Sequence, residues 1–252
     1  MLGWTTAALL TRGEEEPPPD FSSRYDALVR RREQREPLAY LFGVKEFWNL
    51  PFEVTHAVLI PRPETETLVE AALERLPRDG AARIADICTG SGCVAVAIAR
   101  ERPGSQITAI DISADALDVA ERNARRLGVG DRVAFRRGNL LVGAAGPFDL
   151  IVANPPYVRS IDRGGLQAEV KDFEPAVALF AGADGLDIIR ALVQQSPAQL
   201  TARGVLLFEF GYGQEDDVRE LISASPALTM IGVKPDLQGI ARVAVATRPP
   251  ED

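Results

Sequence analysis

Histidine is almost missing from this chain, with His56 the only one among 252 residues. Hydrolases built on Ser/His/Asp or Cys/His arrangements lean on a histidine base, so that class is disfavoured from the start. Cysteine is nearly as scarce: Cys88 and Cys93 are the only two. Thiols so close together, with the sole histidine far off, supply neither a disulfide framework nor a zinc ligand set. Both are expected to pack as small buried hydrophobes. No run of ~18 apolar residues occurs, so no membrane span is expected. The opening Met1-Leu2-Gly3-Trp4-Thr5-Thr6 has neither a basic stretch nor an extended apolar core. That predicts no secretory signal and a cytoplasmic location. Basic residues are in deficit as well, 28 Lys and Arg against 36 Asp and Glu, a formal net charge of -8. Duplex DNA is held mainly by neutralising its phosphates, so DNA is not an expected partner, although Arg30, Arg31 and Arg32 gather locally.

What is present is ordinary globular composition, 46% hydrophobic and 25% charged, in a length that fits one good-sized domain plus a small appendage. Helical patterns open the chain over 5–11 and 22–36, separated by Glu14-Glu15-Glu16-Pro17-Pro18-Pro19, which cannot continue a helix. Over 37–63 aromatic and β-branched residues mix with Gly43, Asn49 and Pro51, which reads as short strands or a hairpin. A helix is expected over 64–76, with Leu68, Val69, Ala72 and Leu73 on one face. Strands and helices then alternate: strands near 83–87, 107–111, 133–136, 148–153 and 204–210, helices near 93–101, 114–127, 185–200 and 216–222. Such alternation implies a mostly parallel sheet covered by helices on both faces. The last strands, 228–233 and 241–246, leave no room for a crossover helix between them and should pair as an antiparallel hairpin. A Rossmann-like parallel sheet closed by a C-terminal hairpin is the α/β arrangement of class I methyltransferases rather than of dehydrogenases.

The first chemical signal is Asp86-Ile87-Cys88-Thr89-Gly90-Ser91-Gly92, after a strand and before a helix. Glycines let backbone pass close to a ligand, and a helix start offers unpaired N–H groups. Asp111 ends the next strand, where an acid can take the hydroxyls of a ribose. The unit signals a dinucleotide or adenosyl ligand. A third glycine of the dinucleotide fingerprint would fall at Ala95, which is not glycine. Asp86 is also ill placed beside a pyrophosphate but suits the cationic end of S-adenosylmethionine.

The second signal is Asn154-Pro155-Pro156-Tyr157, at the C-terminal end of the 148–153 strand, where ligands of open α/β sheets sit. The prolines stiffen the turn and remove backbone donors. Peptide carbonyls and the Asn154 side-chain oxygen are left to accept from an incoming NH2 group, and Tyr157 offers a flat surface to a planar one. An amide nitrogen is a feeble nucleophile. Acceptors gripping its hydrogens would aim its lone pair at the donor methyl, so orientation carries the catalysis and no histidine base is needed. In isolation the tetrapeptide also reads as a rigid turn.

With these motifs in order the sequence resembles the HemK/PrmC family, the N5-glutamine methyltransferases of peptide-chain release factors. The resemblance runs over about 31–245 and includes Glu36-Pro37-Leu38-Ala39-Tyr40, Leu59-Ile60-Pro61-Arg62-Pro63-Glu64-Thr65-Glu66, Phe173-Glu174-Pro175, Gly182-Ala183-Asp184-Gly185-Leu186 and Asp236-Leu237-Gln238-Gly239-Ile240-Ala241-Arg242. It implies a donor site at Asp86, Cys88, Thr89, Gly90, Ser91, Gly92, Asp111 and Asn154, with the adenine near Asn139 and Leu140. It implies that Asn154 and Pro155 hold the glutamine amide of the Gly-Gly-Gln motif in a class 1 release factor. The corresponding division is a small helical substrate lobe over 1–36, a β-hairpin linker over 37–63 and the methyltransferase domain over 64–252, the whole acting as a monomer. The sequence departs from the family at Cys88, where many members have glycine, and at Asn139, usually an acid. Its N-terminal lobe reads as shortened by a helix or two. Arg62, Glu64 and Glu66 could contact substrate or tie the lobes together. Competing readings are a glutamine methyltransferase of ribosomal protein L3, an adenine-N6 nucleic-acid methyltransferase and a donor-binding pseudoenzyme.

Overall fold

The computed structural model describes residues 6–12 and 15–250. Helices α1 (Thr6–Thr11) and α2 (Phe21–Glu33) open the chain; Thr5, the first residue of the expected opening helix, lies outside the described residues, as do Gly13 and Glu14 of the linker. Helix α2 ends three residues early because Arg35 takes a left-handed conformation, φ 71°. The stretch expected to hold only strands begins with a short helix, α3 (Leu38–Phe42), started after Pro37 and stopped by Gly43 at φ 68°. Proline before a first turn and a left-handed glycine after the last are standard helix punctuation, here compressed into so few residues that periodicity does not reveal it. Strands β1 (Val44–Phe47) and β2 (Leu50–Glu53) then form the expected antiparallel hairpin.

The remainder runs α4 (Glu66–Arg75), β3 (Arg83–Ile87), α5 (Cys93–Glu101), β4 (Gln106–Asp111), α6 (Ala114–Arg126), β5 (Val133–Arg137), β6 (Phe148–Ala153), α7 (Ala168–Lys171), α8 (Asp187–Gln195), β7 (Leu200–Glu209), α9 (Glu215–Ser223), β8 (Thr229–Pro235) and β9 (Ala241–Thr247). The expected helix over 185–200 gives way to a 3-10 turn at Ser196–Gln199, where Pro197 lacks the N–H a continuing helix needs. Short helices between 160 and 178 have no periodic signal to announce them.

The seven-stranded sheet has the order β5-β4-β3-β6-β7-β9-β8. Strands β3 to β7 pair in parallel, and β9 pairs antiparallel with both β7 and β8. Alternation assigns each strand residue to a face. On β6, Leu150 and Val152 pack with α4, α5 and α6, while Ile151 and Ala153 pack with α8 and α9. A third cluster joins Tyr40, Val54, Val58 and Ile60 to Ala116 and Val119 of α6. Buried Asn123 fastens the hairpin and the glycine loop together: its Oδ1 accepts from Glu53 N–H at 2.7 Å, and its Nδ2 donates to Glu53 O and Ser91 O at 3.0 and 2.9 Å. The chain leaves β3 toward β4 and β5 and returns to lay β6 on its other side, so the switch point of the sheet lies at β3, where ligands of such folds sit. Among the described residues no helix is long and apolar enough to cross a membrane.

Candidate active site

The loops after β3, β4 and β6 open at that switch point around a cavity of about 1040 Å³, including space open to solvent. Asp86, Cys88, Thr89, Gly90, Ser91, Asp111, Asn139, Leu140, Asn154 and Pro156 all line it. Gly92 does not. At φ 78° its missing Cβ would lie 3.0 Å from Ala120 Cβ and 3.2 Å from Ala120 Cα, so this glycine lets α5 start against α6. Cys88 sits at φ 58°, a left-handed conformation that favours glycine, and still lines the cavity wall. Both cysteines are free, and burial pushes the Cys93 thiol up to about 12.

Two buried acids give the cavity its electrostatics. Asp86 is fully enclosed, and its Oδ2 accepts from the Thr89 hydroxyl at 2.5 Å and from Ala95 N–H at 3.2 Å. Desolvation pushes its pKa up to about 7, with the Thr89 bond opposing and the charge of Asp111 adding to the rise. Asp111 is also raised by burial, held back by backbone N–H bonds from Ser113 to Oδ1 and Gly90 to Oδ2, at 3.0 and 2.9 Å. A carboxylate oxygen keeps further lone pairs after one such bond, so Asp111 can still receive hydroxyl groups. Two acids in one partly dry cavity make a site that gains from a cationic ligand. Ile112, half-exposed on its wall, and Leu140 give an apolar flank that a planar base could cover.

A second chamber of about 490 Å³ adjoins the first. Pro155, Tyr157, Val158, Val170 and Leu179 belong to it alone, whereas Leu59, Arg62, Asn154, Pro156 and Ala178 line both. Asn154 therefore stands at the junction, where a group in one chamber can meet a group in the other.

Several residues that hold this junction were not singled out from the sequence. Asn154 Nδ2 donates to Thr65 Oγ1 at 3.0 Å, and Thr65 donates to Glu209 Oε2 at 2.7 Å. Tyr157 donates its hydroxyl to Glu209 Oε1 at 3.1 Å. Alternation along β7 turns Glu209 to the α4 side of the sheet, where Thr65 precedes that helix. Gln214 accepts Gly211 N–H at 2.8 Å and donates to the Tyr157 carbonyl at 3.1 Å. A Cβ on Gly211 would come within 3.0 Å of the Tyr157 ring, so glycine makes room for it. The signal for Glu209 was available: an acid at the end of Val205-Leu206-Leu207-Phe208, where every neighbour is apolar.

Over 62–66, Arg62 and Glu66 are both engaged by the fold, and Arg62 also lines both chambers. Arg62 donates to Glu174 Oε1 at 2.5 Å while Glu174 Oε2 accepts Ile60 N–H at 3.2 Å. Glu66 accepts Trp48 N–H at 2.7 Å and so ties α4 to the hairpin. His56 belongs to structure rather than chemistry, with Nε2 at 3.2 Å from Glu36, which Arg31 also grips. Farther out, Arg32 and Arg35 pair with Glu169 of α7, fastening α2 to the wall of the second chamber beside Val170. The local arginine cluster is thus partly spent on internal ion pairs.

Comparison with known proteins shows the family. The family described as "Methyltransferase small domain" matches residues 65–169, and "PrmC N-terminal domain" matches residues 1–43. A release factor glutamine methyltransferase of Koribacter versatilis is 44% identical over 250 residues, covering 98% of this chain and 88% of that protein. The chain belongs to the release factor glutamine methyltransferase family. The Neisseria gonorrhoeae protein of the same name is also 44% identical, over 96% of this chain and 88% of its own. Solved structures extend the fold beyond that family. A ribosomal protein L11 methylase from Lactobacillus delbrueckii superposes with TM-score 0.56 at 23% identity, covering 75% of this chain and 80% of that one. A Pyrococcus furiosus methyltransferase gives 0.59 at 16%, covering 87% and 98%. These two speak for the class I methyltransferase fold alone. The expected α/β class and family are borne out, and the protein is an enzyme of methyl transfer.

Proposed function

We propose that this protein transfers a methyl group from S-adenosylmethionine to the side-chain amide nitrogen of the glutamine in the Gly-Gly-Gln motif of a class 1 release factor. The observation that carries this reading is the meeting of the two chambers at Asn154 and Pro156. The larger chamber fits the donor, with Asp111 to receive its ribose, Asp86 to face its cationic end, and Ile112, Asn139 and Leu140 to flank its base. The bound donor supplies an electrophilic methyl. The smaller chamber is lined by prolines, aliphatic side chains and Tyr157 together with Arg62 and Asn154, surroundings that suit a planar amide. Asn154 Oδ1 and the Pro155 carbonyl accept its N–H hydrogens, turn the nitrogen lone pair toward the donor, and favour rehybridisation as the bond forms. Tyr157 closes the chamber over the amide plane. The proton released from nitrogen after transfer is acidic enough to pass to solvent without a histidine base. Helix α7, whose Val170 lines the second chamber, and α2, which Arg32 ties to Glu169 of α7, provide the protein-docking side.

Incubation with S-adenosylmethionine and a class 1 release factor, with ribosomal protein L3 in parallel, tests the choice of substrate by intact mass. One added methyl on the release factor and none on L3 is the expected result. Modification of L3 alone would overturn the assignment.

A further inference from the structure

Every hydroxyl in the chain from Asn154 to Glu209 has one hydrogen to give. The hydrogen of Thr65 goes to Glu209 Oε2 at 2.7 Å. Toward Asn154, Thr65 can then only accept, so Asn154 must present its NH2 there, as it does at 3.0 Å. The second oxygen of Glu209 is engaged by the Tyr157 hydroxyl at 3.1 Å. Both carboxylate oxygens thus receive O–H hydrogens, an arrangement only an ionised acid satisfies fully. Glu209 and Thr65 are enclosed, 1% and 2% exposed, so both bonds are made between buried protein groups.

We propose that Glu209 is a positioning residue for methyl transfer: through Thr65 it fixes the amide of Asn154 so that the oxygen, and not the nitrogen, is presented to the acceptor chamber. This rests on the reading above, in which Asn154 accepts from the substrate amide. Were Asn154 turned over, its NH2 would meet the substrate NH2 donor to donor and the grip would be lost. The orientation of an asparagine amide is set by its hydrogen-bond network, and here a carboxylate at the far end of the relay sets that network. A glutamine at position 209 can donate to Thr65, freeing the threonine hydrogen for the Asn154 oxygen and allowing the turned amide. Protonation of Glu209 does the same. Burial raises its pKa, and the groups facing it are Thr65, Tyr157, Arg242, Glu64 and Cys93; the first three favour the ionised form and Glu64 opposes it.

The test uses Thr65→Val, Thr65→Ser and Glu209→Gln in the full chain, with two readouts. In steady state against the release factor, Thr65→Val and Glu209→Gln are expected to lower kcat about 100-fold, the scale of one lost oriented hydrogen bond at a reacting group. KM and donor affinity should hold, and Thr65→Ser should restore kcat. At saturating donor, which keeps Asp86 ionised, wild-type kcat should fall toward acid pH and Glu209→Gln should lack that fall. The second readout needs no substrate. The Asn154 side-chain NH2 signal, assigned by its loss in Asn154→Ala, is expected to show one hydrogen protected from exchange in the wild type and in Thr65→Ser, and none in Thr65→Val. Wild-type kcat in Thr65→Val, with Asn154 protection unaltered, overturns the inference while leaving the proposed function standing. A wild type that leaves the release factor unmodified, yet whose Asn154 protection is lost in Thr65→Val, removes the substrate reading and upholds the relay.

Discussion

Asp86→Asn is expected to make the empty protein more stable and the enzyme worse. Both hydrogen bonds that Asp86 receives, from Thr89 and from Ala95 N–H, end on the same oxygen. Asparagine has one amide oxygen and can keep both, so the substitution removes a charge with little change of shape. Burial pushes the Asp86 carboxyl up to about 7 from an ordinary 3.8. A carboxyl raised on folding contributes fully to stability below the ordinary value and loses that contribution as pH rises toward 7. At about 1.36 kcal/mol per pKa unit, ionisation of Asp86 costs the empty fold at most about 4 kcal/mol above pH 7. Thermal or urea unfolding of wild type and Asp86→Asn should therefore coincide near pH 4 and diverge toward pH 8, with the variant up to about 4 kcal/mol more stable. Donor binding should move the opposite way. A cationic donor favours the ionised form, so wild-type affinity is expected to rise between pH 5.5 and 7.5 by about tenfold per unit at the steepest, and calorimetric titration of Asp86→Asn should show weak binding with a shallower pH dependence, the remainder coming from Asp111. A variant less stable than wild type at pH 8, or one that binds donor as tightly, would refute this account of Asp86.

Three further outcomes follow from the same geometry. Asn154→Ala should abolish turnover while donor affinity, read by calorimetry, stays within about threefold, because the donor keeps its other walls. Gly92→Val should lose about 2–4 kcal/mol in urea unfolding, combining left-handed strain with overpacking against Ala120; a loss under about 0.5 kcal/mol would show that the close approach is not real. Arg62→Ala leaves the Glu174 carboxylate buried without its cation and should cost about 3 kcal/mol, whereas the same substitution in a Glu174→Gln background should cost clearly less.

Much of this molecule is legible in its amino-acid sequence. Strands β3, β4 and β6 and helices α5 and α6 are short apolar runs or patterned helices in regular alternation, and their expected bounds lie within a residue or two of the observed ones. The antiparallel closing of β8 on β9 follows from a connection too short for a crossover. Helix α3 escapes such reading because five residues carry too little pattern to compete with the aromatic residues around them. The loop acids, Thr89 and the Asn-Pro-Pro-Tyr turn are legible because the chemistry needs them at strand ends, whereas Asn139 and Leu140 come only from the family resemblance; those that line the two chambers do so together. Gly92 shows the limit of motif reading, since its position in a ligand loop conceals a packing role. Glu209, Thr65 and Gln214 are hidden for another reason. Their function depends on partners 52 to 144 residues away in sequence, and no local pattern records who will face whom across a sheet.

The most direct test of the central claim is to find the atom that receives the methyl. A class 1 release factor would be treated with this enzyme and trideuteromethyl-labelled donor, digested, and the labelled peptide fragmented to single-residue resolution. The account predicts the label on the side-chain nitrogen of the Gly-Gly-Gln glutamine, lost in Asn154→Ala. Label on a lysine, an arginine or a carboxylate oxygen would contradict it.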